Sequence, residues 1–187
     1  MKTLIKSILV VAVMFGTYTG YASETLRTLP TFKFINEGDS ISVTDSSGEV
    51  IYQGRINYNG NLIRLFDFSQ LNDGVYTVEI SKDFEVEIVN LNVKNKEVTL
   101  LTDSQEKIFK PVFRTENSKI IISKIALDTK EMEVELYYED ELIYNESVDG
   151  QEEDILNRVY KLDETNRGDY TAIVRTNDRV YIKRFRI

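Results

Sequence analysis

Apolar and polar side chains alternate with a period of two over much of the chain from Phe32 onward. Ile41 and Val43 are separated by Ser42, while Tyr76, Val78 and Ile80 are separated by Thr77 and Glu79. Met132, Val134, Leu136 and Tyr138 alternate in the same way with Glu133, Glu135 and Tyr137. That period belongs to strands with one face buried. The pattern predicts a hairpin turning at Asp45 to Gly48, a turn at Asn57 to Asn61, and a strand over Leu62 to Phe68. A loop follows at Asn72, Asp73 and Gly74, where Gly74 is expected to supply a backbone angle that a side chain resists. After Lys82 and Asp83 turn the chain, Phe84, Val86 and Ile88 share one face, but the apolar phase then moves to Val89, Leu91 and Val93. A one-residue slip reverses every side chain, so a bulge is expected near Ile88 to Asn90.

The stretch from Leu65 to Val93 returns as Val159 to Ile187, with Asn72, Gly74, Tyr76, Thr77, Val86 and Ile88 matched by Asn166, Gly168, Tyr170, Thr171, Val180 and Ile182. The phase change returns too, since Val180 and Ile182 are out of step with Phe185 and Ile187. With one gap, Ile41 to Tyr52 also aligns with Val134 to Tyr144. One structural unit is therefore expected twice. Val98 to Thr102 predicts the last strand of the first copy, Asp103 to Lys107 a polar linker, and the boundary falls near residue 106. Pro111 is expected to open the second copy, and Lys119 to Leu127 to form an apolar strand. Gln151 to Leu162 is ambiguous between strand and helical turn; its pairing with Leu62 to Phe68 favours strand for its second half.

The N-terminal 22 residues carry Lys2 and Lys6, an apolar run from Ile8 to Phe15, and Gly20, Tyr21 and Ala22 before Ser23, which is the layout of a cleaved secretory signal. The run falls short of the ~20 apolar residues of a spanning helix, so the mature chain is expected to hold no membrane-spanning segment. Losing Lys2 and Lys6 takes the formal charge from −8 to −10, which opposes binding to nucleic acid or anionic lipid. The chain has no cysteine and no histidine. That removes disulfides, thiolate metal sites, cysteine nucleophiles and histidine-based triads or zinc sites.

Candidate chemistry reduces to charges and tyrosines. Glu131 to Asp154 holds 11 acidic residues and no basic one, including the run Asp149 to Asp154, which raises calcium as a ligand. Glu133 and Glu135 also fit the solvent face of a strand, and the spacing is not that of an EF-hand. The last strand is read as basic through Arg175, Arg179, Lys183, Arg184 and Arg186, either an anion patch or a row lying across the sheet from the acids and guarding an edge. Tyr76 and Tyr170 belong to the core by their place in the repeat, leaving Tyr58, Tyr137, Tyr138 and Tyr144 as surface aromatics that can stack on sugar rings. A paired-carboxylate glycosidase needs a cleft that so short a pair of sandwiches has little surface to build. No catalytic, cofactor-binding or metal-ligating residue is therefore assigned, and no enzyme activity is expected.

Asp45 to Tyr52 followed by Asp67 to Ile80 resembles the D-x-x-G-x-x-V-Y and D-L-S-x-L-x-x-G-x-Y pattern of the C-terminal sorting domains of the type nine secretion system and of related small secreted Ig-like domains of unknown function. The resemblance is close over Ile41 to Val93 and loose over Met132 to Ile187. The second copy has Glu139, Asp140 and Glu141 in place of the early glycine turn, although its ending from Tyr181 to Ile187 is similar to a sorting tail. The resemblance implies export and the Ig-like antiparallel β-sandwich fold; joined to the repeat and the leader pattern it gives an all-β chain of two tandem Ig-like β-sandwiches, residues 1–22 the signal peptide, 23–106 the first domain and 107–187 the second. The expected role is a non-enzymatic structural or protein-interaction module of the cell envelope with a protein partner. The alternatives are a sorting role for the C-terminal unit, or a calcium- or carbohydrate-binding module.

Overall fold

The computed structural model describes residues 34–150 and 153–187. The expected signal peptide lies outside them. The described residues divide into two compact units, one comprising residues 34–82 and 86–106, the other residues 83–85 and those from 107 onward. Both are all-β, and the Ig-like sandwich read from the sequence is the fold.

In the first unit a five-stranded antiparallel sheet has the order β3-β2-β5-β6-β7, built from β2 (Ser40–Asp45), β3 (Val50–Arg55), β5 (Gly74–Ser81), β6 (Glu85–Lys94) and β7 (Glu97–Phe109). Opposite it, among the described residues, stand the short pair β1 (Phe34–Ile35) and β4 (Gly60–Asn61), a helical turn α1 (Leu62–Leu65) and a 3-10 turn Phe68–Gln70. Ile41, Val43, Tyr76, Val78, Ile80, Leu91 and Val93 from the sheet close on Ile35, Leu62 and Phe68 from these pieces. The alternation of β2 and β5 is thus the inner face of a sheet.

The second unit stacks a four-stranded sheet, β11-β10-β13-β14, on a three-stranded one, β12-β9-β8. Its strands are β8 (Val112–Glu116), β9 (Lys119–Ile125), β10 (Glu131–Tyr138), β11 (Glu141–Asp149), β12 (Ile155–Lys161), β13 (Asp169–Thr176) and β14 (Arg179–Arg186). Met132, Val134, Leu136, Tyr170, Ala172 and Val174 face Ile120, Ile122 and Leu156 across the core.

Each unit carries a tyrosine hydroxyl that donates back to a carbonyl four residues upstream: Tyr76 to Asn72 O and Tyr170 to Asn166 O, both at 2.8 Å. The ring is buried and its polar tip is satisfied by the loop entering the strand, the tyrosine-corner device of Ig-like sandwiches. Tyr76→Phe and Tyr170→Phe are each expected to cost about 0.5–1.5 kcal/mol in urea unfolding, because the ring stays while the carbonyl loses its donor.

Several expectations are corrected. Leu62–Leu65 is helical: Phe66 N donates to Leu62 O at 2.9 Å, and Asp67 caps the following turn through Ser69 N. An apolar run of this length is compatible with both conformations, and the helical one buries Leu62 and Phe68 together. Asp103 to Lys107 is not a linker, since β7 runs through it to Phe109. Gly74 does not take a positive φ; among glycines only Gly38 and Gly48 do so among the described residues.

The bulge also lies elsewhere. The ladders β5·β6 and β13·β14 run without a register shift, so Val180 and Ile182 project from the outer face and remain about half exposed. The shifts sit in the hairpins β2·β3, between Val43 and Thr44, and β10·β11, between Leu136 and Tyr137. The extra residues are Ile51 and Ile143, in the parallel runs Glu49 to Tyr52 and Glu141 to Tyr144. A bulge lets an odd step in the apolar pattern be absorbed where the strand borders the sheet edge.

Candidate functional site

The second unit has an opening between the edges of its two sheets, where β11 and β12 belong to different sheets and are linked through side chains rather than a backbone ladder. Tyr138, Tyr144, Tyr160 and Tyr170 line it with Ile143 and Val159 in a hollow of 420 Å³. Tyr144 packs on Tyr160 with ring centroids 5.3 Å apart, and Tyr138 on Tyr170 at 4.9 Å. Tyr160 donates to Glu146 Oε2 at 2.9 Å, and the same carboxylate takes Arg158 Nε at 3.0 Å. Burial, reinforced by the Glu146 hydrogen bond and charge, pushes the Tyr160 hydroxyl far above the ordinary tyrosine value, so it remains a neutral donor. The arrangement offers aromatic faces and a fixed carboxylate but no activated nucleophile.

The four tyrosines singled out as surface aromatics do not form one row. Tyr138 and Tyr144 line the opening, Tyr137 donates to Glu135 Oε2 on the outer face of the sheet, and Tyr58 is exposed in the first unit. Tyr76 and Tyr170 are core residues, as their repeat positions indicated.

The acidic segment spreads over two strands. Glu135 is paired with Arg175 at 2.7 Å, and that guanidinium holds its carboxyl below the usual glutamate range. Asp154 lies 3.4 Å from Lys130. Among the described residues no group of three or more acids is arranged to hold a metal ion. Of the residues read as one basic strand, Arg175 stands on β13 and the others on β14. Arg186 reaches Asp169 at 3.7 Å, so part of the basic set lies across from acids of the same sheet.

A cluster the sequence did not flag sits at the end of this unit. Lys124 takes the third inward position of β9 after Ile120 and Ile122 and is 1% exposed. Its ammonium donates to Asp128 Oδ1 and to Ile125 O. Asp128 also accepts Phe109 N at 2.8 Å, Thr129 N at 2.9 Å and Asn177 Nδ2. Desolvation works to raise this carboxyl, yet the hydrogen bonds from Lys124, Phe109 and Thr129 outweigh it and leave it below the usual value. The period-two phase through Ile120, Ile122 and Ala126 passes through Lys124; that was the available signal.

Three further aspartates are held low by their own turns. Asp45, Asp67 and Asp163 accept the hydroxyl and backbone N–H of Ser47, Ser69 and Thr165, respectively. A carboxylate whose folded pKa is depressed stabilises the fold above its unfolded value, here 3.8, and loses that contribution as pH falls through the folded value. The urea midpoint is therefore expected to be level above about pH 5 and to fall below about pH 4. A midpoint that falls already between pH 7 and 5 contradicts this assignment.

Residues 29–94 match the secretion system C-terminal sorting domain. The sorting-domain match runs from just before β1 to the end of β6, and it contains the Asp45 turn, the Ile51 bulge and the Tyr76 corner. It ends at Lys94, so it includes none of residues 107–187, although that unit holds its own corner and bulge. No curated protein matches the chain. Among solved structures, extracellular domains 3–5 of Drosophila OTK align over 81% of this chain and 86% of that one, at 7% identity and a TM-score of 0.24. No helix among the described residues is long and apolar enough to cross a membrane.

Proposed function

We propose that the chain is an exported, non-enzymatic interaction module of the cell envelope that works through sheet edges and loops. The sorting-domain match over residues 29–94 carries the proposal, because it joins an export-associated family to the first unit. Export is supported further by the leader-like N-terminus. The contact mode is supported by sheet edges whose main-chain groups can add a strand. The match also favours the first unit over the C-terminal one as the bearer of any sorting role.

Fractionation of producing cells, followed by external protease treatment of intact cells, tests the proposal. The protein is expected outside the cytoplasm, and mild crosslinking of the envelope fraction is expected to recover a specific partner. Retention of the whole pool in the cytoplasm overturns it. The tyrosine-lined opening favours a second reading, a sugar ring held against Tyr144 and Tyr160. A glycan panel showing no calorimetric heat removes that reading and leaves the first standing.

A further inference from the structure

The two edge strands of the four-stranded sheet carry opposite charge. Among the described residues β11 pairs only with β10, and β14 only with β13. β14 bears Lys183, Arg184 and Arg186 and no acid; β11 bears Glu141 and Glu146 and no base. Lys183, Arg184 and Glu141 are exposed, while Arg186 and Glu146 already have Asp169 and Arg158 beside them. Both edges also show apolar side chains on the outer face: Val180 and Ile182, 55% and 53% exposed, on β14, and Leu142, 48% exposed, on β11. Uncovered apolar edge positions of this kind invite another strand.

We infer that β14 of one copy pairs with β11 of a second copy, head to tail. The strand directions allow it. β10 is antiparallel to β11 and to β13, and β13 to β14, so β11 and β14 run in opposite directions. Translating the sheet along its hydrogen-bonding direction by its own width, about 4.8 Å per strand, sets β14 beside the next copy's β11 as one more antiparallel pair.

The ladder registers then fix what meets what. With no stagger, Ile182 stands at the level of Asn145, and Arg184 at that of Leu142, so Ile182 and Leu142 are diagonal neighbours on the outer face. On the other face Lys183 lies opposite Tyr144, with Glu146 and Glu141 at the adjacent positions. The basic row that keeps two β14 edges apart is the row that selects an acidic β11. Because donor and acceptor edges differ, such a contact does not close on itself and gives chains of copies.

The inference deepens the interaction reading by naming a second copy as the partner, and it is measured on purified protein, so a negative result leaves the export measurement untouched. Full-length protein as its cells make it is expected to show, by sedimentation velocity, a ladder of species whose average mass rises with concentration. Lys183→Glu/Arg184→Glu and Glu141→Lys/Asn145→Lys, all at exposed positions, are each expected to leave a single monomer with unchanged circular dichroism. Mixing the two variants restores opposite signs at every junction and is expected to restore the ladder. A wild-type monomer at every concentration, a dimer that grows no further, a ladder that survives either double substitution, or variants that stay monomeric when mixed overturns the inference.

Discussion

Replacing Asp128 with alanine is expected to destabilise the second unit by about 3–5 kcal/mol, seen as an early thermal transition, because it leaves the Lys124 ammonium buried without its counter-charge. The side chain of Lys124 is 0% exposed and that of Asp128 7%, so water does not replace the lost partner. Three other donors, Phe109 N, Thr129 N and Asn177 Nδ2, lose their common acceptor in the same step. Lys124→Met removes the other half of the pair and is expected to cost much less. The carboxylate keeps those three donors, and a methionine of similar length fills the space among apolar neighbours such as Leu156. Equal losses in the two variants would show that water reaches the lysine.

Leu156→Ala is expected to cost about 2–5 kcal/mol, since Leu156 is fully buried in the core of the second unit. Its fate is tied to Gly150: a Cβ added there would lie 2.2 Å from Leu156 Cδ2. Gly150→Ala alone therefore forces that leucine off its seat. In the double variant the alanine methyl occupies space that the leucine has vacated, so the combined loss is expected to be smaller than the sum by about 0.5 kcal/mol or more. Strict additivity in a double-mutant cycle would separate the two sites.

The strands whose inner faces are unbroken were legible from alternation alone. β2, β5 and β10 read Ile41-Val43, Tyr76-Val78-Ile80 and Met132-Val134-Leu136, and each of these residues is buried. The tyrosine corners were legible as repeated positions, although the hydrogen bonds that explain them were not. Periodicity failed where both faces carry apolar residues. In β14, Val180 and Ile182 suggested a bulge because they were read as core, whereas the sheet continues regularly and leaves them outside. Leu62 to Phe68 failed for a related reason: a run apolar at nearly every position does not choose between helix and strand until its neighbours do. Lys124 was hidden by its type, because its charge argued for solvent while its phase argued for the core. The hollow beside Tyr144 and Tyr160 depends on two strands from different sheets, a relation that no local pattern encodes.

Among the described residues, four hairpins turn on two residues that both take positive φ: Asn95 and Lys96, Asn117 and Ser118, Glu139 and Asp140, Asn177 and Asp178. Such turns match the twist of the strands they join and fix the pairing of those strands on their own. Strand pairs such as β8·β9 and β13·β14 can thus form within microseconds from neighbouring residues. The larger loop-closure cost falls on distant partners, such as β13 onto β10, where Arg175 stands opposite Glu133, and β12 onto β9, where Lys161 stands opposite Lys119. Loop entropy therefore weighs on joining these ready-made ribbons more than on making them.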